Sequence, residues 1–120
     1  LQDMADVESV ALFGLRLGGA IAARVAQSHD AVTHLILWDA IANGAAYLHE
    51  LRAEAKQPAA VGAGSTATFG VMGFPVPPVL QAELAAQRFT ADQPGRAVRA
   101  LVVSHAETDD ARDFVTWCRA

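Results

Sequence analysis

Read along the chain, short apolar runs alternate with small-residue and amphipathic stretches. Residues 9–13 (SVALF) form a brief, mostly apolar run closed by Gly14, the pattern of a strand covered on both faces. Residues 17–27 (LGGAIAARVAQ) are apolar almost all round and carry small side chains. That composition predicts a helix able to lie close against a sheet, with Gly18 and Gly19 bringing its first turn nearest. After the turn Ser28-His29-Asp30, residues 33–38 (THLILW) predict a second buried strand, with Asp39 at its carboxyl end. Strand, helix and strand over about 30 residues make a βαβ unit, parallel and right-handed.

Beyond this unit the pattern changes. Asn43-Gly44 marks a turn, and residues 45–57 predict an amphipathic helix with Tyr47, Leu48, Leu51 and Ala55 facing inward. Residues 58–78 are rich in Gly and Pro without a steady period, as in an irregular connection or part of a cap. A helix is expected over 78–89, with Pro78 in its first turn, and a loop over 91–96. Residues 97–103 (AVRALVV) predict a third strand, and Asp109 and Asp110 open a last helix whose dipole they complement. The expected fold class is therefore α/β: a parallel sheet with flanking helices in one domain over residues 1–120. Three strands leave sheet edges and helix faces uncovered, which predicts poor solubility unless the chain self-associates. Ligands of such sheets sit outside the carboxyl ends of the strands, here residues 14–18, 39–43 and 104–110.

Composition narrows the function classes. With 52% apolar and 18% charged residues the chain is globular rather than disordered. A net charge of −4 and scattered basic residues argue against nucleic acid or an anionic membrane surface as partner. No apolar run approaches the length of a membrane-spanning helix, and the acidic opening LQDMADVES is not a secretory leader. The single Cys118 has no internal disulfide partner and reads as an idle thiol, in keeping with a cytoplasmic protein. A chain that opens on Leu1 and reaches its first strand almost at once reads as a piece of a longer one.

The most informative stretch is Gly14-Leu15-Arg16-Leu17-Gly18. It has the frame of the G-x-S-x-G turn, in which a strained strand-to-helix connection lifts its central side chain above the sheet and flanking glycines allow close packing. Residues 12–26 (LFGLRLGGAIAARVA), 35–52 (LILWDAIANGAAYLHELR) and 71–84 (VMGFPVPPVLQAEL) together resemble the α/β-hydrolase superfamily. Within it they are similar to the exosortase-system-associated branch, where a G-L-R-L-G elbow is followed by a strand ending in L-W-[DQ]. The resemblance spans roughly residues 9–110. It implies a partial α/β-hydrolase fold, a cap-like region over 40–95, and a hydrolase of ester, thioester or similar acyl substrates that needs no cofactor. It places Asp109, or alternatively Asp110, where the family's acid stands, and the backbone N–H of Leu17 as half of an oxyanion hole. Arg16 takes the nucleophile's place, yet a guanidinium stays protonated and is neither nucleophile nor general base.

No His follows either aspartate. His29 and His34 flank a turn, His49 lies in the amphipathic helix, and His105 reads as a polar loop residue at a strand's carboxyl end. Ser9, Ser28, Ser65 and Ser104 do not fit the elbow. Arg16 at a helix N-terminus opposes the dipole at a cost of about 0.3–1 kcal/mol. An ion pair with Asp109 or Asp110, an anionic ligand, or extension into solvent would each offset that cost. Two alternatives therefore stand beside hydrolysis. One is a non-catalytic relative that binds a small anionic or acyl ligand or a protein partner. The other is an NAD(P)-binding Rossmann-type oxidoreductase, from Gly14-x-x-x-Gly18-Gly19 followed by Asp39, although Ala20 stands where a further glycine belongs. The lone Cys and dispersed histidines lack the spacing of a metal site.

Overall fold

In the computed structural model, residues 6–55, 68–90, 92 and 99–119 are described, and they form an α/β structure. The elements in chain order are β1 (Val10–Leu15), α1 (Leu17–Ser28), β2 (Val32–Trp38), α2 (Gly44–Glu54), β3 (Phe69–Val71), β4 (Phe74–Val76), α3 (Pro78–Ala86), β5 (Arg99–Val103) and α4 (Asp109–Arg119). The chain divides into two compact units, residues 1–42 with 89–120, and residues 43–88.

The first unit holds the parallel sheet, in the order β1-β2-β5. Phe13 pairs with Ile36 and Ile36 with Leu101, while Leu15, Trp38 and Val103 align at the carboxyl ends. The core lies on one side of this sheet. Leu35 and Leu37 are fully buried there against Ala20, Ala23 and Ala26 of α1 and Phe114 and Trp117 of α4. Each such aliphatic or aromatic side chain contributes about 1.5–3 kcal/mol by leaving water. The alanine row forms the face of α1 that packs on the sheet. Phe89, Phe114 and Trp117 close the core as an aromatic cluster, with ring centroids 4.7 Å apart for Phe89–Phe114 and 5.1 Å for Phe89–Trp117.

The strands are not buried on both faces, contrary to the reading of their apolar runs. Phe13, Leu15, Trp38 and Leu101 remain 60%, 53%, 47% and 57% exposed. The register puts them on the side away from Leu35 and Leu37. Both helices of this unit, α1 and α4, pack on the Leu35 and Leu37 face.

Local signals set the helix starts. Thr108 Oγ1 accepts the Ala111 N–H at 3.1 Å and caps α4. In the second unit, Asn43 Oδ1 accepts the Ala46 N–H at 3.2 Å at the start of α2, and Pro78 takes the first position of α3. Leu48 is buried on α2, with Tyr47, Leu51 and Ala55 half-buried; the helix is described to Glu54, and residues 56–57 of the expected span lie outside the described residues. Gly44 sits against α3 so tightly that a Cβ would lie 1.8 Å from the Leu84 carbonyl oxygen. The tract read as irregular contains an antiparallel hairpin, β3–β4, turning at Met72 (φ 50°) and Gly73 (φ 85°). Two successive positive φ angles suit the twist of a tight hairpin, and the sequence hid it because Met is a rare occupant of that conformation. Gln81, buried beside the hairpin, donates from Nε2 to the Val76 carbonyl at 2.9 Å and accepts from Arg52 Nη2 at 2.8 Å. The remainder of the Gly/Pro tract (residues 58–67, Ser65 included) and most of the 91–96 loop lie outside the described residues.

Candidate functional site at the carboxyl ends of the strands

The last aligned row of the sheet is Leu15, Trp38 and Val103. Arg16, Asp39 and Ser104 each stand one residue beyond it, on neighbouring strands about 4.8 Å apart. Three chain segments thus bring a cation, a carboxylate and a hydroxyl to one edge of the sheet.

Arg16 occupies the turn between β1 and α1 with φ 51° and ψ −122°. Such a conformation is sparsely populated for any residue but glycine and stores about 1–3 kcal/mol. It is held in place from both sides. The Arg16 N–H donates to the Trp38 carbonyl at 3.0 Å, and the Arg16 carbonyl accepts the N–H groups of Gly19 at 3.0 Å and Ile41 at 3.3 Å. The turn is tight because of Gly14 and Gly19. A Cβ on Gly14 would lie 2.4 Å from the Gly18 carbonyl oxygen, and one on Gly19 would lie 2.4 Å from the Ala40 Cβ. Gly18, by contrast, faces open space, and a methyl there would meet nothing within 4 Å. Its place in the G-x-x-x-G spacing has no steric cause here; Gly19 has that role. The Arg16 residue is exposed, and Leu17 opens α1, so its N–H is among the amides that have no partner within the helix.

The two aspartates expected to supply an acid behave differently from each other. Asp109 is exposed at the start of α4, and its Oδ1 accepts from Arg112 Nη1 at 2.9 Å, a pair within the helix's first turn rather than one with Arg16. Asp110 Oδ1 accepts the Ala42 N–H at 2.9 Å, which ties α4 to the segment after β2.

A different carboxylate meets a histidine. Asp39 turns the chain at φ 43°, and its N–H donates to the Val103 carbonyl at 2.8 Å. Asp39 Oδ1 accepts the His105 backbone N–H at 3.0 Å and lies 2.9 Å from His105 Nδ1. The Asp39 side chain is only 15% exposed, while that of His105 is 72% exposed. The His105 backbone N–H, and then its ring, hold the Asp39 carboxyl below its ordinary value of 3.8. An ionised carboxylate can only accept, so Nδ1 is the donor of this contact, and in the neutral imidazole Nε2 is then the acceptor. Sequence reasoning placed Asp39 and His105 at carboxyl ends of strands but did not pair them. The available signal was their shared position one and two residues past strands that turn out to be neighbours.

The remaining candidates are accounted for locally. Ser104 Oγ donates to the Ala106 carbonyl, Ser28 Oγ to the Val25 carbonyl at 3.2 Å, and His29 sits at the end of α1. Cys118 packs against the core, and burial pushes its thiol up, away from the reactive thiolate. Among the described residues no three His, Cys, Asp or Glu side chains gather as metal ligands, and no helix is long and apolar enough to cross a membrane. Neither a family model, nor a curated protein, nor a solved structure matches the chain.

Proposed function

We propose that this chain is an α/β-hydrolase-type domain that takes up an acyl compound bearing a carboxylate at the carboxyl ends of its strands, with Arg16 as the anchor. The observation that carries the reading is the backbone of Arg16, φ 51° and ψ −122°, at the tip of a strand-to-helix turn tightened by Gly14. A strained turn of this kind is the device by which the G-x-S-x-G motif lifts one side chain above a sheet. The separate compact unit of residues 43–88, inserted between β2 and β5, supports the cap assignment. Arginine at the tip supplies a permanent positive charge and a planar fork suited to a carboxylate, next to the first amides of α1.

Isothermal titration calorimetry with succinate tests the reading. Wild-type chain binds succinate, and Arg16→Ala weakens it roughly 10–100-fold, as expected for a hydrogen bond to a charged group. Equal binding by the variant, or none by the wild type, overturns it. Hydrolysis of an ester or thioester is the second reading, and the Asp39–His105 pair favours it.

A further inference from the structure

We infer that Asp39 and His105 form a general-base pair that activates water against the acyl carbon of the ligand held at Arg16. The inference rests on the binding reading above for the location of its substrate, but on separate residues for its chemistry.

Four observations converge on this pair. First, Asp39 Oδ1 is fixed by the His105 backbone N–H as well as facing the ring, so the carboxylate cannot swing away without losing both bonds. Second, the Nδ1 contact of 2.9 Å orients the imidazole and keeps its proton on that nitrogen, which leaves Nε2 with a lone pair. Third, the ring is 72% exposed, so water reaches Nε2, while Asp39 behind it is 15% exposed and retains its charge below the usual carboxylate range. Fourth, Asp39 stands one residue beyond β2 and Arg16 one residue beyond β1, in strands that pair directly, and the Arg16 N–H is bonded to Trp38, the residue before Asp39. Among the described residues Asp39 is the titratable group that touches the ring. Glu107, two residues farther along, faces Arg112 at 3.4 Å.

A carboxylate behind a histidine is the arrangement by which an imidazole is made an effective base. With no nucleophile at position 16, water itself is the attacking group. Its oxygen forms the new bond to the acyl carbon as one of its protons passes to His105 Nε2. The tetrahedral species then breaks the ester C–O or thioester C–S bond, and the departing alkoxide or thiolate takes the proton from Nε2. The products are a carboxylic acid and an alcohol or thiol, and the imidazole is restored. Asp39 remains ionised throughout. His105 is the catalytic residue; Asp39 is a positioning residue.

The test uses the whole chain with p-nitrophenyl hemisuccinate and p-nitrophenyl butyrate, followed from pH 5 to 9. The wild type hydrolyses the hemisuccinate in preference to the butyrate, with kcat/KM rising through a single ionisation. His105→Gln, on an exposed side chain whose replacement spares the fold, lowers kcat/KM by roughly 10²–10⁴-fold and abolishes that ionisation. His29→Gln, at the far end of α1, leaves the rate and profile unchanged. For Asp39 the deciding readout is nitrogen NMR of His105: the wild type shows Nδ1–H, and Asp39→Asn shifts the tautomer towards Nε2–H as kcat/KM falls. Wild-type rates and pH profile in His105→Gln overturn the assignment, as does a chain that binds succinate yet cleaves neither ester. Cleavage of the butyrate that depends on His105 but not on Arg16 leaves the general base standing and removes the anion-binding reading.

Discussion

The turns after β1 and β2 lie side by side and solve the same geometric problem with opposite charges. Arg16 and Asp39 both have left-handed backbone, φ 51° and φ 43°, directly past paired strand ends. At Asp39 the side chain helps to hold the turn, because its Oδ1 accepts from His105 across the sheet. At Arg16 the turn is secured by backbone hydrogen bonds to Trp38, Gly19 and Ile41, which any side chain would leave in place. The lesson is that a strained backbone has two kinds of support: one that depends on the residue's side chain and one that runs through the backbone alone.

Substitutions can break that contrast. The largest effect is expected inside the turn's packing: Gly14→Ala drives a methyl into the Gly18 carbonyl and destabilises the fold by about 2–3 kcal/mol in thermal or denaturant unfolding. Gly18→Ala, four residues on in open space within α1, instead stabilises by about 0.5–1 kcal/mol through helix propensity. If both cost the same, Gly14 does not mark the tight point. Next come paired glycine replacements at the two turns. Arg16→Gly relieves the positive φ and keeps the turn's three backbone hydrogen bonds, so stability rises by up to about 1 kcal/mol. Asp39→Gly relieves a similar φ yet lowers the melting temperature, since it removes two acceptor contacts. Matching signs would mean that the Asp39 side chain contributes nothing to its turn.

The smallest effect is the acid limb. The Asp39 carboxyl titrates lower in the folded chain than its ordinary 3.8, so its contribution is complete above that value and disappears as pH falls through the folded one. Asp39→Asn flattens this part of the stability profile measured by urea unfolding below pH 4. An unchanged acid limb in that variant would sever Asp39 from the folded-state electrostatics.

Much of the local structure was legible because each signal was local. The alanine-rich stretch after Gly14 became α1, the apolar run ending at Trp38 became β2, and Asp109-Asp110 opened α4. Other features depended on neighbours that sequence order does not name. Whether Phe13 and Trp38 are covered depends on which face α1 and α4 occupy, and an apolar run looks the same in either case. The hairpin at Met72-Gly73 lacked the Asn-Gly or Asp-Gly signature that usually announces such a turn. Gly18 and Gly19 were indistinguishable until Ala40 was found against one and open space against the other. The same holds for the carboxylates: Asp109 and Asp110 are consecutive, yet one reaches Arg112 and the other the Ala42 amide.

By itself the sequence determined the α/β alternation, the strand–turn–helix frame around Arg16, and the absence of a hydroxyl at its tip. Those follow from residue type and short-range spacing, which fix periodicity, glycine turns and the chemistry each side chain can perform. Only the tertiary structure decided that Asp39 faces His105, 66 residues farther along the chain. That pairing required β5 to lie beside β2, a long-range choice made by sheet order and packing, and it turns two separate strand-end residues into a candidate acid–base pair.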